Sequence, residues 1–305
     1  MDFIIFIVAM SALIYGADFV IKESERIALH FNISHFVIGA TLVAFGTSLP
    51  EMAASMVAAS QDKSDMAVAN VVGSVIFNIT LVLGVVFFIS KKMYPKRDLF
   101  LLDSAWIIVP LVLFFLMVQD GVIGRVDGVL YLLLMVSYLV FLFNDPKADL
   151  GVEPTKEKFS WTKPILLLIV GFILTIGGAN FVVESGTEIA RTFGVSEWII
   201  GIFLISLGTS LPELVVSLVA IKKGNAEMSI GNIIGSNVAN FSMVLGAASL
   251  VNPLTVDLVA TKYDMLIMIA ASVALLFILA NRLYNKAGAI FLLIILALFI
   301  QNALV

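Results

Sequence analysis

Gly46-Thr47-Ser48-Leu49-Pro50-Glu51 returns as Gly208-Thr209-Ser210-Leu211-Pro212-Glu213, the same six residues twice in one chain. Each copy sits inside an apolar stretch long enough to cross a bilayer. A carboxylate at membrane depth is costly and marks an ion or substrate path. The proline beside it removes a backbone donor and crowds the carbonyl four residues earlier, so the helix must break there. Two broken helices in matching halves of a membrane chain point to a transporter's binding site.

Working outward, the chain is 61% hydrophobic and only 13% charged, which places it among integral membrane proteins. The net charge of -4 gives no reason to expect nucleic acid as a partner. The chain contains no cysteine, which excludes disulfides and thiol chemistry. Asp2 stands where a signal peptide would carry positive charge, so residues 2–22 read as a retained helix. Ten spans follow, near 2–22, 34–60, 66–90, 99–118, 128–144, 164–184, 196–221, 227–251, 263–281 and 287–304. If they alternate, one side of the bilayer holds 14 of the 18 Lys and Arg residues. The other side holds only Lys63, Arg125, Arg191 and Lys262. The positive-inside rule puts the rich side in the cytoplasm and both termini outside.

Sliding the chain by 162 residues aligns Gly16–Gly84 with Gly178–Gly246 without a gap, and roughly 28 of about 70 positions match. Asn, Ser, Pro and Glu are among the matches (Ser55 with Ser217, Asn70 with Asn232), which generic apolar similarity does not give. The expected fold is therefore all-α: ten transmembrane helices as two five-helix repeats, 1–144 and 164–305, joined by a cytoplasmic linker at 145–163. Five is odd, so the second copy enters the membrane inverted. Helices 2, 3, 7 and 8 are the expected broken ones.

The repeated polar residues supply the chemistry. Thr47 and Glu51 share a helix face with Ser48 beside them, and Ser74 and Asn78 lie four apart on the next helix. Pro50 frees the Gly46 carbonyl, and Ala44 lies on the same distorted turns. The second copy offers Ser206, Thr209, Ser210, Glu213, Ser236 and Asn240 at equivalent places. An all-oxygen set with two carboxylates suits a hard cation such as Ca2+, whereas zinc or copper would want His or Cys. One Ca2+, two Na+ or two protons would neutralise the pair, and competition for it is a physical basis for exchange.

With Gly73-Ser74 to Asn78 and Gly235-Ser236-Asn237 to Asn240, the paired motifs resemble the two repeats of the cation/Ca2+ exchanger superfamily, most of all the short prokaryotic Na+/Ca2+ exchangers. The resemblance covers essentially the whole chain. It implies electrogenic exchange of Na+ for Ca2+ by alternating access, with no cofactor. It makes Glu51 and Glu213 the central ligands of Ca2+ and Na+, completed by the carbonyls of Thr47 and Thr209. Ser48, Ser74, Ser210 and Ser236, with the carbonyls of Ala44 and Ser206, would build flanking Na+ sites around Asn78. Asn240 departs from the pattern, since several members carry Asp there. That leaves two formal negatives at the centre, argues against K+ co-transport, and keeps H+ open as the counter-ion.

Other classes fare worse. Intramembrane hydrolysis needs a base beside a nucleophile, and the only histidines, His30 and His35, lie in the first cytoplasmic loop. A cation channel fits the ligand types, but pores usually arise from ring-like oligomers, whereas one copy of this chain contains both halves of the site. Gly16, Gly39, Gly178 and Gly201 read as close helix packing, and Ser74 and Ser236 as ligands. Asp18 and Glu184 read either as acids reaching for the interface or as part of a gating bundle. The compact form without a regulatory loop suggests a prokaryotic inner membrane.

Overall fold

The computed structural model describes residues 2–90, 95–144, 161–193 and 208–303. It is helical almost throughout. In chain order the helices are α1 (Asp2–Phe31), α2 (His35–Thr47), α3 (Leu49–Ser60), α4 (Ser64–Ile89), α5 (Leu99–Met117) and α6 (Arg125–Phe143), then α7 (Thr162–Thr192), α8 (Leu211–Lys222), α9 (Ala226–Val251), α10 (Lys262–Ala280) and α11 (Lys286–Ala303). Seven of them (α1, α4, α5, α6, α7, α9 and α10) are long and apolar enough to cross a bilayer singly. The pair α2 and α3 makes an eighth, bent by 44° at Ser48. The first part of the expected seventh span, 196–207, lies outside the described residues.

Three differences from the sequence reading have physical causes. α1 and α7 run to 30 and 31 residues, past the expected ends at 22 and 184, because Glu25, Arg26, Ala28 and Leu29 in one and Glu188, Ala190 and Arg191 in the other are good helix formers. In the third and eighth spans the expected interruption is absent: α4 and α9 stay continuous. Neither contains proline, so every backbone donor is kept, and the irregularity is a π-turn at Asn78–Val82 and another at Asn240–Leu245. These are corresponding positions of the repeat. Finally, a two-residue antiparallel ribbon interrupts the helical pattern, with β1 (Val122–Ile123) pairing Val122 with Thr255 and Ile123 with Leu254 of β2 (Leu254–Thr255).

The chain forms two compact units, and each draws on both halves of the sequence. The first comprises 1–47 and 144–232. Its axis is the pair α1 and α7, which approach backbone to backbone. A Cβ on Gly16 would stand 2.6 Å from the Thr175 nitrogen, and one on Gly178 would stand 2.7 Å from the Leu13 nitrogen. A Cβ on Gly39 would collide with the Met228 carbonyl. Lipid tails are as apolar as leucine, so close backbone packing of small residues replaces the hydrophobic effect as the force between helices. Gly201 lies outside the described residues. Around this axis, Val20, Ile21, Ile38, Val43, Val216, Ala220 and Met228 form one buried cluster. Asp18 pairs with Lys223 at 2.6 Å, tying α1 to the end of α8.

The second unit comprises 48–143 and 233–305. Here α3 packs on α4, the π-turn of α9 packs on both, and α9 also packs on α6. A buried, bidentate Arg97–Asp103 pair, at 2.7 and 3.0 Å, anchors the start of α5. Asp98 caps the same helix by accepting from the Leu101 amide, and that bond together with Arg282 holds its carboxyl below the usual carboxylate range.

A candidate cation site built on a repeated helix start

The six-residue motif builds the same local structure twice. Ser48 stands at the N-cap of α3, with backbone angles of -87° and 4°. Ser210 stands at the N-cap of α8, with -88° and 0°. Pro50 and Pro212 fall in the first helical turn, where no backbone donor is needed, so the proline starts a new helix rather than kinking an old one. Glu51 and Glu213 follow in that first turn, each only 1% exposed. A helix N-terminus is the end whose dipole favours negative charge, which lowers the cost of holding a carboxylate at this depth. The leading glycines are needed for space: a Cβ on Gly46 would strike the ring of Phe172, and one on Gly208 would stand 2.7 Å from Val183 Cγ2.

The two units divide the candidate ligands. The first holds Ala44, Thr47, Thr209, Ser210 and Glu213; the second holds Ser48, Glu51, Ser74, Asn78, Ser236 and Asn240. In the first, α8 packs on the last turn of α2, which carries Thr47. The Thr47 hydroxyl lies 3.2 Å from the Ala44 carbonyl and 3.3 Å from Asn232 Oδ1, so the hydroxyl is engaged within the protein. In the second, the packing of α3, α4 and the α9 π-turn gathers Glu51, Ser74, Asn78 and Asn240 on adjoining elements. Ser206 lies outside the described residues.

Several of these polar atoms are buried and make no hydrogen bond: the Oγ of Ser74, Ser210 and Ser236, Asn78 Oδ1, and both amide atoms of Asn240. A buried polar atom left unsatisfied costs about 1–3 kcal/mol, and proteins leave few of them. Most of this set are oxygens, the donor atoms that hard cations take. The donor chemistry fits the hard, oxygen-liganded ions and offers neither His nor Cys.

The structure also gives roles to residues that the sequence marked only as matches of the repeat. Asn70 Nδ2 donates to Ser55 Oγ at 2.9 Å and to the Glu51 carbonyl at 3.1 Å, clamping α4 to the helix that bears the acid. Asn232 Nδ2 donates to Ser217 Oγ at 3.1 Å, the same clamp in the other copy. The signal was present: an Asn and a Ser fifteen residues apart, kept in both copies. Asn237, which has no match in the first copy, accepts from Asn78 Nδ2 at 3.1 Å. Glu184 lines a cavity of about 360 Å³ in the first unit, together with Asn180, Glu188 and Thr209.

Apolar spans carrying buried, motif-matched acids and hydroxyls define a membrane ion transporter. The comparisons with known proteins make this specific. The model of the sodium/calcium exchanger protein family matches residues 1–144 and 163–305, and the chain belongs to that family. A membrane protein of Methanocaldococcus jannaschii, MJ0091, is 36% identical over 295 residues, covering 97% of this chain and 94% of that one. The sodium/calcium exchanger MaX1 of Methanosarcina acetivorans is 30% identical over 322 residues, covering 92% and 91%. A solved structure of the sodium-calcium exchanger NCX_Mj, soaked with Na+ and Ca2+, superposes with a TM-score of 0.83 at 33% identity, covering 98% of this chain and 97% of that one. The protein is thus a membrane antiporter of the sodium/calcium exchanger family, a transporter rather than an enzyme.

Proposed function

We propose that this protein exchanges Na+ for Ca2+ by alternating access, using Glu51 and Glu213 together as the ligands that cannot be dispensed with. Thr47 and Thr209 contribute main-chain carbonyls to the Ca2+ position. Ser48, Ser74, Ser210 and Ser236, with the carbonyls of Ala44 and Ser206, serve flanking Na+ positions, and Asn78 and Asn240 line the centre. The observation that carries the reading is the pair of buried acids, each in the first turn of a helix begun by the same Ser-Leu-Pro. Family membership supports Na+ and Ca2+ as the cargo, as does the similarity to the sodium/calcium exchanger MaX1.

Two like charges in a low dielectric repel each other, so the empty pair resists burial. One Ca2+, or Na+ ions in its place, removes that penalty and lets the loaded carrier reorient. An empty carrier cannot, and this couples the two fluxes. The arrangement is that of ten spans in two inverted five-helix repeats, 1–144 and 164–305, joined by a cytoplasmic linker. Both termini lie outside a prokaryotic inner membrane, and a single copy suffices for transport. H+ as counter-ion is the second reading, favoured by the replacement of a central acid with Asn240.

The test is radioactive Ca2+ uptake into proteoliposomes with Na+, H+ and K+ gradients imposed one at a time. An outward Na+ gradient alone should drive uptake and generate current. Uptake driven by a pH gradient without Na+ would replace Na+ with H+, and uptake requiring no counter-ion would replace the exchanger with a channel.

A further inference from the structure

Asn78 and Asn240 occupy corresponding positions of the repeat, and each opens a π-turn. Both are 1% exposed. Their surroundings nevertheless differ at one residue. Asn78 Nδ2 donates to Asn237 Oδ1 at 3.1 Å, while Asn78 Oδ1 has no hydrogen-bond partner. The residue that corresponds to Asn237 in the first copy is Val75, buried and without any acceptor to offer. Accordingly, neither Nδ2 nor Oδ1 of Asn240 makes a hydrogen bond.

An amide is a cation ligand only through its oxygen, since its NH2 end carries partial positive charge and repels the ion. Rotation by half a turn about the side-chain bond exchanges the two ends. Occupying the NH2 group with an acceptor disfavours that rotation and turns the oxygen the other way. Asn237 does this for Asn78, and Val75 cannot do it for Asn240.

We propose that Asn237 is a positioning residue for cation recognition: it locks the Asn78 amide with Oδ1 presented to the transported ion, and leaves Asn240 as the one central amide able to turn. The inference rests on the exchanger reading above and adds an inequivalence between two ligands that the sequence repeat presents as equal. A turning Asn240 offers oxygen to a cation and N–H to a carboxylate, so it can serve the loaded and the empty states with opposite ends. The locked Asn78 serves the loaded state alone.

The experiment is a double-mutant cycle on Na+-gradient-driven radioactive Ca2+ uptake, with wild type, Asn237→Val, Asn78→Ala and the double variant in proteoliposomes. Asn237→Val copies the first repeat. Losing one neutral hydrogen bond that orients a ligand should raise the half-saturating Ca2+ concentration roughly fivefold, with the maximal rate retained. In the Asn78→Ala background the same change should have no further effect, because a positioning residue acts only through the group it positions. Where Asn78→Ala transports too slowly to assay, Ca2+ binding measured by calorimetry on the detergent-solubilised chain closes the same cycle. If Asn237→Val fails to assemble, Asn237→Ala carries the test. An unchanged half-saturating Ca2+ concentration in the Asn237 variant, or effects that simply add in the double variant, overturns the inference and leaves the exchanger reading standing. A wild type whose Ca2+ uptake ignores Na+ overturns the exchanger reading itself, and the inference with it.

Discussion

Ser48 and Ser210 begin their helices with backbone angles that agree within 4°, whereas Asn78 and Asn240 agree in position and differ in the hydrogen bonding of their side chains. The first pair shows what both copies of the repeat must supply, namely a buried acid at a helix start. The second differs between the copies because Val75 stands in the first where Asn237 stands in the second. Amide orientation can be fixed on one side alone.

This contrast can be broken most severely at the acids. Glu51→Gln and Glu213→Gln should each lower Na+-dependent Ca2+ uptake by about a hundredfold or more, since removing one carboxylate leaves a divalent cation with half its countercharge. The two losses should be equal. A variant that retains half of the wild-type rate would show that the copies are not equivalent there. Next in size are the helix contacts of the first unit. Gly16→Ala and Gly178→Ala each press a methyl group onto the opposing backbone at 2.6–2.7 Å, and should cost about 1–3 kcal/mol, read as a lower thermal midpoint in detergent. The paired clamps come third: Asn70→Ala and Asn232→Ala should each cost about 1–2 kcal/mol by the same measurement. Asn70→Ala should also slow transport more, because Asn70 is bonded to the backbone of Glu51 itself. Asp18→Asn loosens a half-exposed pair with Lys223 and should change the midpoint by no more than about 1 kcal/mol equivalent. His30→Ala, at a residue outside the candidate ligand set, should leave transport unchanged.

Much of this architecture could be read from the chain because the membrane imposes so few solutions. Apolar runs must be helices, and proline next to an acid must start one, so the bend at Ser48 followed from Pro50. The glycines at 16, 39 and 178 were legible as packing positions for the same reason. The π-turns at Asn78 and Asn240 were not, because a π-turn inserts one residue without needing proline or glycine and leaves no compositional trace. Asn237 was visible as part of a motif, but its bond to Asn78 joins residues 159 positions apart, and only folding brings them together. The Asn–Ser clamps lie between these cases. Their spacing recurs in both copies, yet the recurrence shows that the residues matter without showing what they touch.

The central claim is that one acid from each copy serves a single shared ion position. Calorimetric titration of the detergent-solubilised protein with Ca2+, in Na+-free buffer, tests it directly on wild type, Glu51→Gln and Glu213→Gln. The account predicts Ca2+ binding at one acid-dependent position per chain, relieved by added Na+, and its loss in either single variant. Persistence of undiminished binding in one variant, or half the wild-type stoichiometry in each, would mean that the two acids hold separate ions, and would contradict the account.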